Sequence, residues 1–165
     1  MGQFLIPIMH KSKTSAFTLV ELMIIVAILS DVLIVAMPAF VRARNLAQNT
    51  KFITDLRTAT SAFEMYAAES NRYPNTSSPG TIPSGMSVYL NGMAWGSYTP
   101  IGGYWDWEPN KWGFNAQVGV DYAAGSPGTP DDVRMTDIDR RMDNGALSTG
   151  GFRKQDSTNF MHIIE

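Results

Sequence analysis

The sequence predicts an α+β fold, in which one long N-terminal helix packs on a small antiparallel sheet of about four strands. Two patterns support this prediction. An apolar run of helical length continues into an amphipathic segment, and glycine-rich stretches with alternating apolar residues follow it. The 165-residue chain has a net charge of −2 and no cysteine. We therefore expect no disulfide, no thiolate zinc site, no cysteine nucleophile and no basic surface for nucleic acid.

The first element is the apolar segment 17–40, whose roughly 24 residues exceed the about 20 that a helix needs to cross a bilayer. Lys11 and Lys13 precede it and predict that its N-terminal end stays in the cytoplasm. The charge rule alone does not decide the orientation, because Arg42 and Arg44 follow the segment closely. The run is too long for a removed secretory signal, and no small-x-small motif follows it. We therefore expect one membrane-spanning helix.

Two carboxylates, Glu21 and Asp31, lie in this segment, where an unpaired charge costs about 3 kcal/mol or more. Glu21 is one turn after Phe17, near the positive end of the helix dipole. An amine at Phe17, of the same chain or of another copy, would be a suitable partner for it. Two interpretations of Asp31 stay open. It is either a neutral carboxyl group bonded within its helix or to a neighbour, or a polar contact between copies that involves Ser30.

The stretch AFTLVEL, the apolar residues after it and the following MPAF together resemble the type IV pilin and pseudopilin family. The resemblance implies a leader, residues 1–16, which a prepilin peptidase cuts between Ala16 and Phe17 before it N-methylates Phe17. It also implies that Glu21 neutralises the Phe17 amine of an adjacent subunit and so sets the axial register of a filament. Pro38 matches the proline that bends the family's helix, which can partly melt before this point on assembly.

The chain departs from the family pattern in three places. Ala16 stands where the family usually has glycine before the cut. Ser30 and Asp31 stand where it usually has glycine and an aliphatic residue. The leader also holds an apolar run of its own, so Met1 and Met9 are alternative starts.

The helix is expected to continue to about Ser70 and to pack one apolar stripe on the sheet. Residues spaced by three and four form this stripe: Phe52, Leu56, Ala59, Phe63 and Tyr66. Asn71 is a candidate left-handed cap, and Pro74 cannot continue the helix. The RYP sequence at this end also resembles pseudopilins, in which it opens the connection to the sheet.

Two alternating stretches, GYWDWE (103–108) and FNAQVGVDY (114–122), predict half-buried strands that form a hairpin around PNKWG. Trp105 and Trp107 share one strand face, which favours a place in the core over an exposed surface that stacks on sugars. Next, Thr129 is expected to cap a short helix in which Pro130 is the first residue. The residues expected to face inward are Val133, Ile138 and Met142. GGFRKQ and NFMHIIE then predict a second hairpin.

No catalytic set, metal site or cofactor is predicted. His162 is the one histidine after the leader, which argues against a histidine-ligated zinc or a Ser-His triad. Some major pseudopilins bind calcium in C-terminal loops, which the resemblance raises for the aspartates of the short helix. These match no EF-hand loop, and we interpret them as a solvated face and N-terminal charge: Asp131, Asp132, Asp137, Asp139 and Asp143.

The resemblance therefore implies three parts: a leader (1–16), a transmembrane and assembly helix (17–40) and a periplasmic pilin-like domain (41–165) that includes the second half of the long helix. The resemblance implies a structural subunit of a type II secretion pseudopilus or, alternatively, of a type IV pilus for adhesion, twitching or DNA uptake. The absent cysteine pair, the small domain and RYP favour the first. A membrane-anchored sugar-binding module, for which the span is an inert anchor, is the hypothesis from a different class.

The resemblance also implies the partners and the location. The partners would be other copies, related pilin-like subunits, the prepilin peptidase, an inner-membrane assembly platform and lipid, with no nucleic acid for the pseudopilin. The chain would cross the inner membrane once, with its C-terminal domain in the periplasm, until it enters a filament.

Overall fold

The computed structural model describes residues 17–123 and 125–165. The predicted leader, which includes Ala16 at the cleavage position and both alternative starts, lies outside the described residues. The chain forms two compact units, Met1–Arg42 and Ala43–Glu165. We call these the first unit and the second unit and describe each by itself.

Helix α1 comprises Leu19–Ser70, so both ends lie close to their predicted positions. The helix is continuous through Pro38. Because proline has no amide hydrogen, the carbonyl of Ile34 lacks its usual helical donor. Asn71 follows the helix with a φ of 52°, which is the left-handed conformation expected of its cap.

The sheet lies in the second unit and has four strands in the order β1-β2-β4-β3, with every neighbouring pair antiparallel. Both predicted hairpins are present, and the short helix α2 lies between them in sequence. The bounds of these elements are β1 Tyr104–Trp107, β2 Gln117–Asp121, α2 Asp132–Met142, β3 Phe152–Lys154 and β4 Asn159–Ile163. The predicted α+β class, with a long N-terminal helix and a small antiparallel sheet, is confirmed.

Aromatic stacking joins α1 to the sheet within the second unit. The ring of Phe63 stacks on Trp107 with centroids 3.8 Å apart, and Phe52 stacks on Trp105 at 5.3 Å. All four side chains are buried, so the two strand tryptophans are core residues, as predicted. Trp95 completes the cluster and donates its indole N–H to the carbonyl of Thr81 at 2.9 Å. Each such ring pair stabilises the fold by about 1 kcal/mol beyond the contribution of the apolar area that it buries.

The expected start of α2 and the expected inward place of Val133 are wrong, whereas Ile138 is buried and Met142 packs against the core, as expected. The cap is Asp131, not Thr129, and its carboxylate accepts from the amide of Val133 at 3.0 Å. Val133 is 82% exposed, whereas Met135 is fully buried. The buried stripe contains Met135 and Ile138, three residues apart, as helix geometry requires. Val133 lies five residues before Ile138 and so falls on another side of the helix.

The strands β1 and β2 are not half-buried, because their polar face is covered as well. Asp106, Gln117 and Asp121 are all buried. The Gln117 side chain donates to the carbonyl of Lys111 at 2.8 Å and accepts from Gln155 at 2.5 Å, so residues outside the strands contact this face. Burial, helped by the nearby charges of Glu108 and Asp121, raises the pKa of Asp106 to about 7.

Candidate functional site

The candidate site is the N-terminal turn of α1, where Thr18 and Glu21 form a reciprocal cap. The Thr18 amide and hydroxyl both donate to Oε2 of Glu21, at 2.9 Å and 2.8 Å. The Glu21 amide donates in return to the Thr18 hydroxyl at 3.2 Å. This is a capping box, which satisfies amide groups that the first turn of a helix leaves without partners. Glu21 is thereby fixed at the very start of the helix.

The two oxygens of Glu21 differ in their contacts. Oε2 takes both bonds from Thr18, while Oε1 has no hydrogen-bond partner among the described residues. Phe17, immediately before the cap, is 72% exposed. Glu21 can therefore cap its own helix with one oxygen and accept a further donor, such as an amine, with the other.

Thr18 is a site residue that the sequence-based prediction missed. Its signal was present as TLVE, a threonine followed three residues later by glutamate and then by an apolar run. The prediction gives Glu21 the helix dipole and an amine at Phe17 as partners, and does not include Thr18. The capping box adds a specific partner within the same turn.

The other predicted residues of the segment are spread along the helix. A rise of 1.5 Å per residue puts Asp31 about 15 Å and Pro38 about 25 Å from Glu21 along the axis. The Ser30 hydroxyl donates to the carbonyl of Val26 at 2.7 Å and is thus satisfied within its own helix. Asp31 is exposed, and its carboxyl group forms no hydrogen bond with any residue that the structure describes. Among the described residues, Glu21 is therefore hydrogen-bonded to Thr18, whereas Ser30 and Asp31 form no hydrogen bond with each other through their side chains.

The apolar side chains of this segment have nothing to pack on within the first unit. Leu19 is 74% exposed and Val35 is 78% exposed, and the other apolar residues from 17 to 41 are exposed as well. In the part of the chain that the structure describes, α1 is the one helix long and apolar enough to cross a membrane. This pattern fits a membrane-anchored, single-pass protein.

The described residues hold no cluster of three His, Asp or Glu side chains that could bind a metal ion. Two of the aspartates of α2 form ion pairs within the domain. Asp132 pairs with Lys154 at 2.7 Å and Asp137 with Arg141 at 3.1 Å. Asp139 is fully buried, so the expected solvated face is wrong at this residue. His162 is half-buried in β4, and its burial lowers its pKa.

Comparison with curated proteins finds three relatives named type II secretion system core protein G. That of Aeromonas hydrophila is 32% identical over 68 residues, which are 41% of this chain and 48% of that protein. That of Pectobacterium carotovorum is 31% identical over 64 residues, 39% of this chain and 41% of that protein. That of Klebsiella michiganensis is 28% identical over 68 residues, 41% and 48% of the two chains.

The chain thus spans a little under half of the length of the relatives it matches. No family model and no solved structure matches it. The three relatives confirm the resemblance to the pilin and pseudopilin family that the N-terminal motif indicates.

Proposed function

We propose that this chain, a protein of the pilin and pseudopilin family, is a structural subunit of a type II secretion pseudopilus. The names of its three relatives support this assignment. The observation that carries it in the structure is Oε1 of Glu21, which has no hydrogen-bond partner among the described residues and belongs to a residue one helical turn after Phe17. An inert anchor gives no reason for a carboxylate oxygen without a partner at this position, because burying it in lipid is costly. In an assembling subunit, by contrast, this oxygen can accept a hydrogen bond from the amine of an adjacent copy.

In the proposed mechanism, the prepilin peptidase removes residues 1–16 and leaves a methylated amine on Phe17. Oε2 of Glu21 keeps its hydrogen bonds with Thr18. Oε1 accepts a hydrogen bond from the Phe17 amine of an adjacent copy. The pair neutralises two charges that would each be unfavourable in lipid. Because the geometry of the pair is specific, it sets the axial register, while the apolar side chains supply cohesion.

The remaining assignments follow from this role. Residues 17–40 would cross the inner membrane once, and 41–165 would lie in the periplasm until assembly. Other copies, related subunits and an assembly platform would be its partners, and Pro38 would let the helix bend or partly melt in the filament. The relatives carry the name of a secretion component rather than of an enzyme, which fits a chain without catalytic function.

The test compares proteins in the culture medium of wild-type cells with those of cells that lack this gene. For a secretion pseudopilin, specific exported enzymes disappear from the medium and accumulate in the periplasm. If the medium is unchanged but surface filaments are lost, the chain is a type IV pilus subunit and our proposal is wrong.

Complementation with two matched variants tests the role of Glu21. Glu21→Ala is expected to restore no secretion and no filaments, although the protein is present in the membrane. Glu64→Ala, at an exposed glutamate further along the same helix, is expected to restore both. If Glu21→Ala complements as well as the wild type, the span is an inert anchor, as the sugar-binding hypothesis requires.

A further inference from the structure

The second unit has an open groove of about 600 Å³ beside the part of α1 that follows the apolar segment. Its apolar lining includes Met93, Tyr98 and Trp105. Its polar lining comes from α1 and includes Arg44 and Lys51. The groove therefore offers an apolar floor beside two cations, and the described residues leave it open.

The two cations are available to an anion. Arg44 is exposed and forms neither an ion pair nor a side-chain hydrogen bond within the described part of the chain. Lys51 pairs with Asp55 at 2.8 Å, but its side chain is still 66% exposed. Asp55 also lines the groove, so the net charge of these three side chains is one positive.

The position of these cations in the sequence needs an explanation. Arg44 comes three residues after Val41, the end of the apolar run. Membrane proteins usually concentrate Lys and Arg in the loops that stay in the cytoplasm. Under the proposed topology, Arg42, Arg44 and Lys51 lie on the exported side instead. Orientation in the membrane therefore does not account for them, whereas attraction to anionic headgroups does.

We propose that this groove binds the headgroup of an anionic phospholipid at the membrane surface. Arg44 and Lys51 would contact the phosphate, and the apolar floor near Trp105 would contact the glycerol and the first methylenes. Arginine is suited to this contact because its planar guanidinium can form two parallel hydrogen bonds with phosphate oxygens. The proposal rests on the membrane anchoring and the topology proposed above, and not on the role in secretion.

The experiment uses the full chain in nanodiscs of equal parts phosphatidylglycerol and phosphatidylcholine. Native mass spectrometry then measures the ratio of the two lipids that stay bound to the protein. Wild type is expected to retain phosphatidylglycerol in preference. The double variant Arg44→Gln, Lys51→Gln is expected to lower this preference about tenfold, since each cation near a membrane surface favours anionic lipid.

The matched control is the double variant Arg57→Gln, Arg72→Gln, which removes the same charge from exposed residues outside this groove. It is expected to keep the lipid preference, because screening confines the attraction to about 8 Å from the headgroups. Equal retention of both lipids by wild type, or an equal loss in both variants, would overturn the proposal.

Assembly of the groove variant Arg44→Gln, Lys51→Gln is measured as well, because it distinguishes a lipid from a second copy as the occupant of the groove. If the groove variant keeps its lipid preference but no longer assembles, the groove is a contact between subunits and our proposal is wrong. Failure of the secretion test is also distinguishable, because lipid retention is measured on single chains without any secretion machinery.

Discussion

Phe63 in the second unit is fully buried, whereas Phe17 in the first unit exposes 72% of its surface. The same contrast holds for aliphatic residues, since Leu56 is fully buried and Val35 is 78% exposed. The second unit thus buries most of its large apolar side chains within one chain, and its stability depends on its own packing. The described residues of the first unit do not, so we expect lipid and, under the proposed function, other copies to cover their apolar side chains.

Of the variants that distinguish the two units, Phe63→Ala should cause the largest loss of stability. The ring stacks on Trp107, and its loss leaves a cavity against the sheet. We expect it to lower the free energy of unfolding of the second unit by about 3–5 kcal/mol. Urea denaturation of the full chain in detergent micelles measures this, because all four tryptophans lie in the second unit and report on it by fluorescence.

Leu29→Ala is the counterpart in the first unit, where Leu29 is 56% exposed. It should change the same unfolding transition by no more than about 0.5 kcal/mol, since it removes no contact in the second unit. If the two alanine variants lower the transition equally, the contrast between the units is wrong.

Asp106→Asn should produce the next largest change, and this one depends on pH. Burial raises the pKa of Asp106 from its ordinary value of 3.8 to about 7, so the folded chain binds a proton that the unfolded chain releases. Its contribution to stability is therefore fully present below about pH 4 and is lost as the pH rises through about 7. The loss amounts to about 4 kcal/mol at most.

Comparison of urea denaturation at pH 5 and pH 8 tests this prediction. Wild type is expected to lose stability between these values, whereas Asp106→Asn is expected to lose less and to be the more stable protein at pH 8. Asp55→Asn, at a carboxylate that pairs with Lys51 outside the sheet, is the control and should keep the wild-type slope. An unchanged slope in Asp106→Asn would mean that another group, such as Asp121, carries the pH dependence.

The elements of the fold were predictable from the sequence because each has a strong local pattern. The stripe from Phe52 to Tyr66 repeats at helical spacing, and the two tryptophans of β1 alternate with polar residues. The burial of the polar face of β1 and β2 was not predictable. The alternation of polar and apolar residues shows which side chains are polar, but it does not show which other parts of the chain cover them. Residues such as Gln155, which contacts Gln117, come from distant parts of the chain.

The errors in α2 and at the candidate site have different causes. Its apolar side chain predicts a core position for Val133, but its spacing to Ile138 does not fit one helix face, whereas the spacing of Met135 does. The capping box of Thr18 was readable from the sequence and was overlooked. That Oε1 of Glu21 has no hydrogen-bond partner among the described residues could not be predicted from the sequence, because both Thr18 donors bond to the same oxygen, Oε2.

Thr18→Val should have a smaller effect that is confined to the first unit. Valine has the same shape as threonine but cannot form the side-chain bonds of the capping box. We expect roughly fivefold faster hydrogen exchange at the amides of the first turn, which a typical loss of capping energy implies. Thr18→Ser keeps the hydroxyl and should restore slow exchange. If both variants exchange like the wild type, Glu21 holds the turn without Thr18.

Asp31→Leu should have the smallest effect on the isolated chain, because Asp31 has no hydrogen bond to lose within the described residues. The Ser30 hydroxyl is bonded within its own helix, whereas the Asp31 carboxyl group has no hydrogen-bond partner among the described residues, which favours a contact between copies for Asp31. We therefore expect unchanged unfolding of the second unit and fewer filaments in cells, whereas Ser30→Ala should assemble normally. Wild-type assembly of Asp31→Leu would instead assign this carboxyl group to its own chain, and the first unit would then depend on its neighbours through Glu21 and its apolar surface alone.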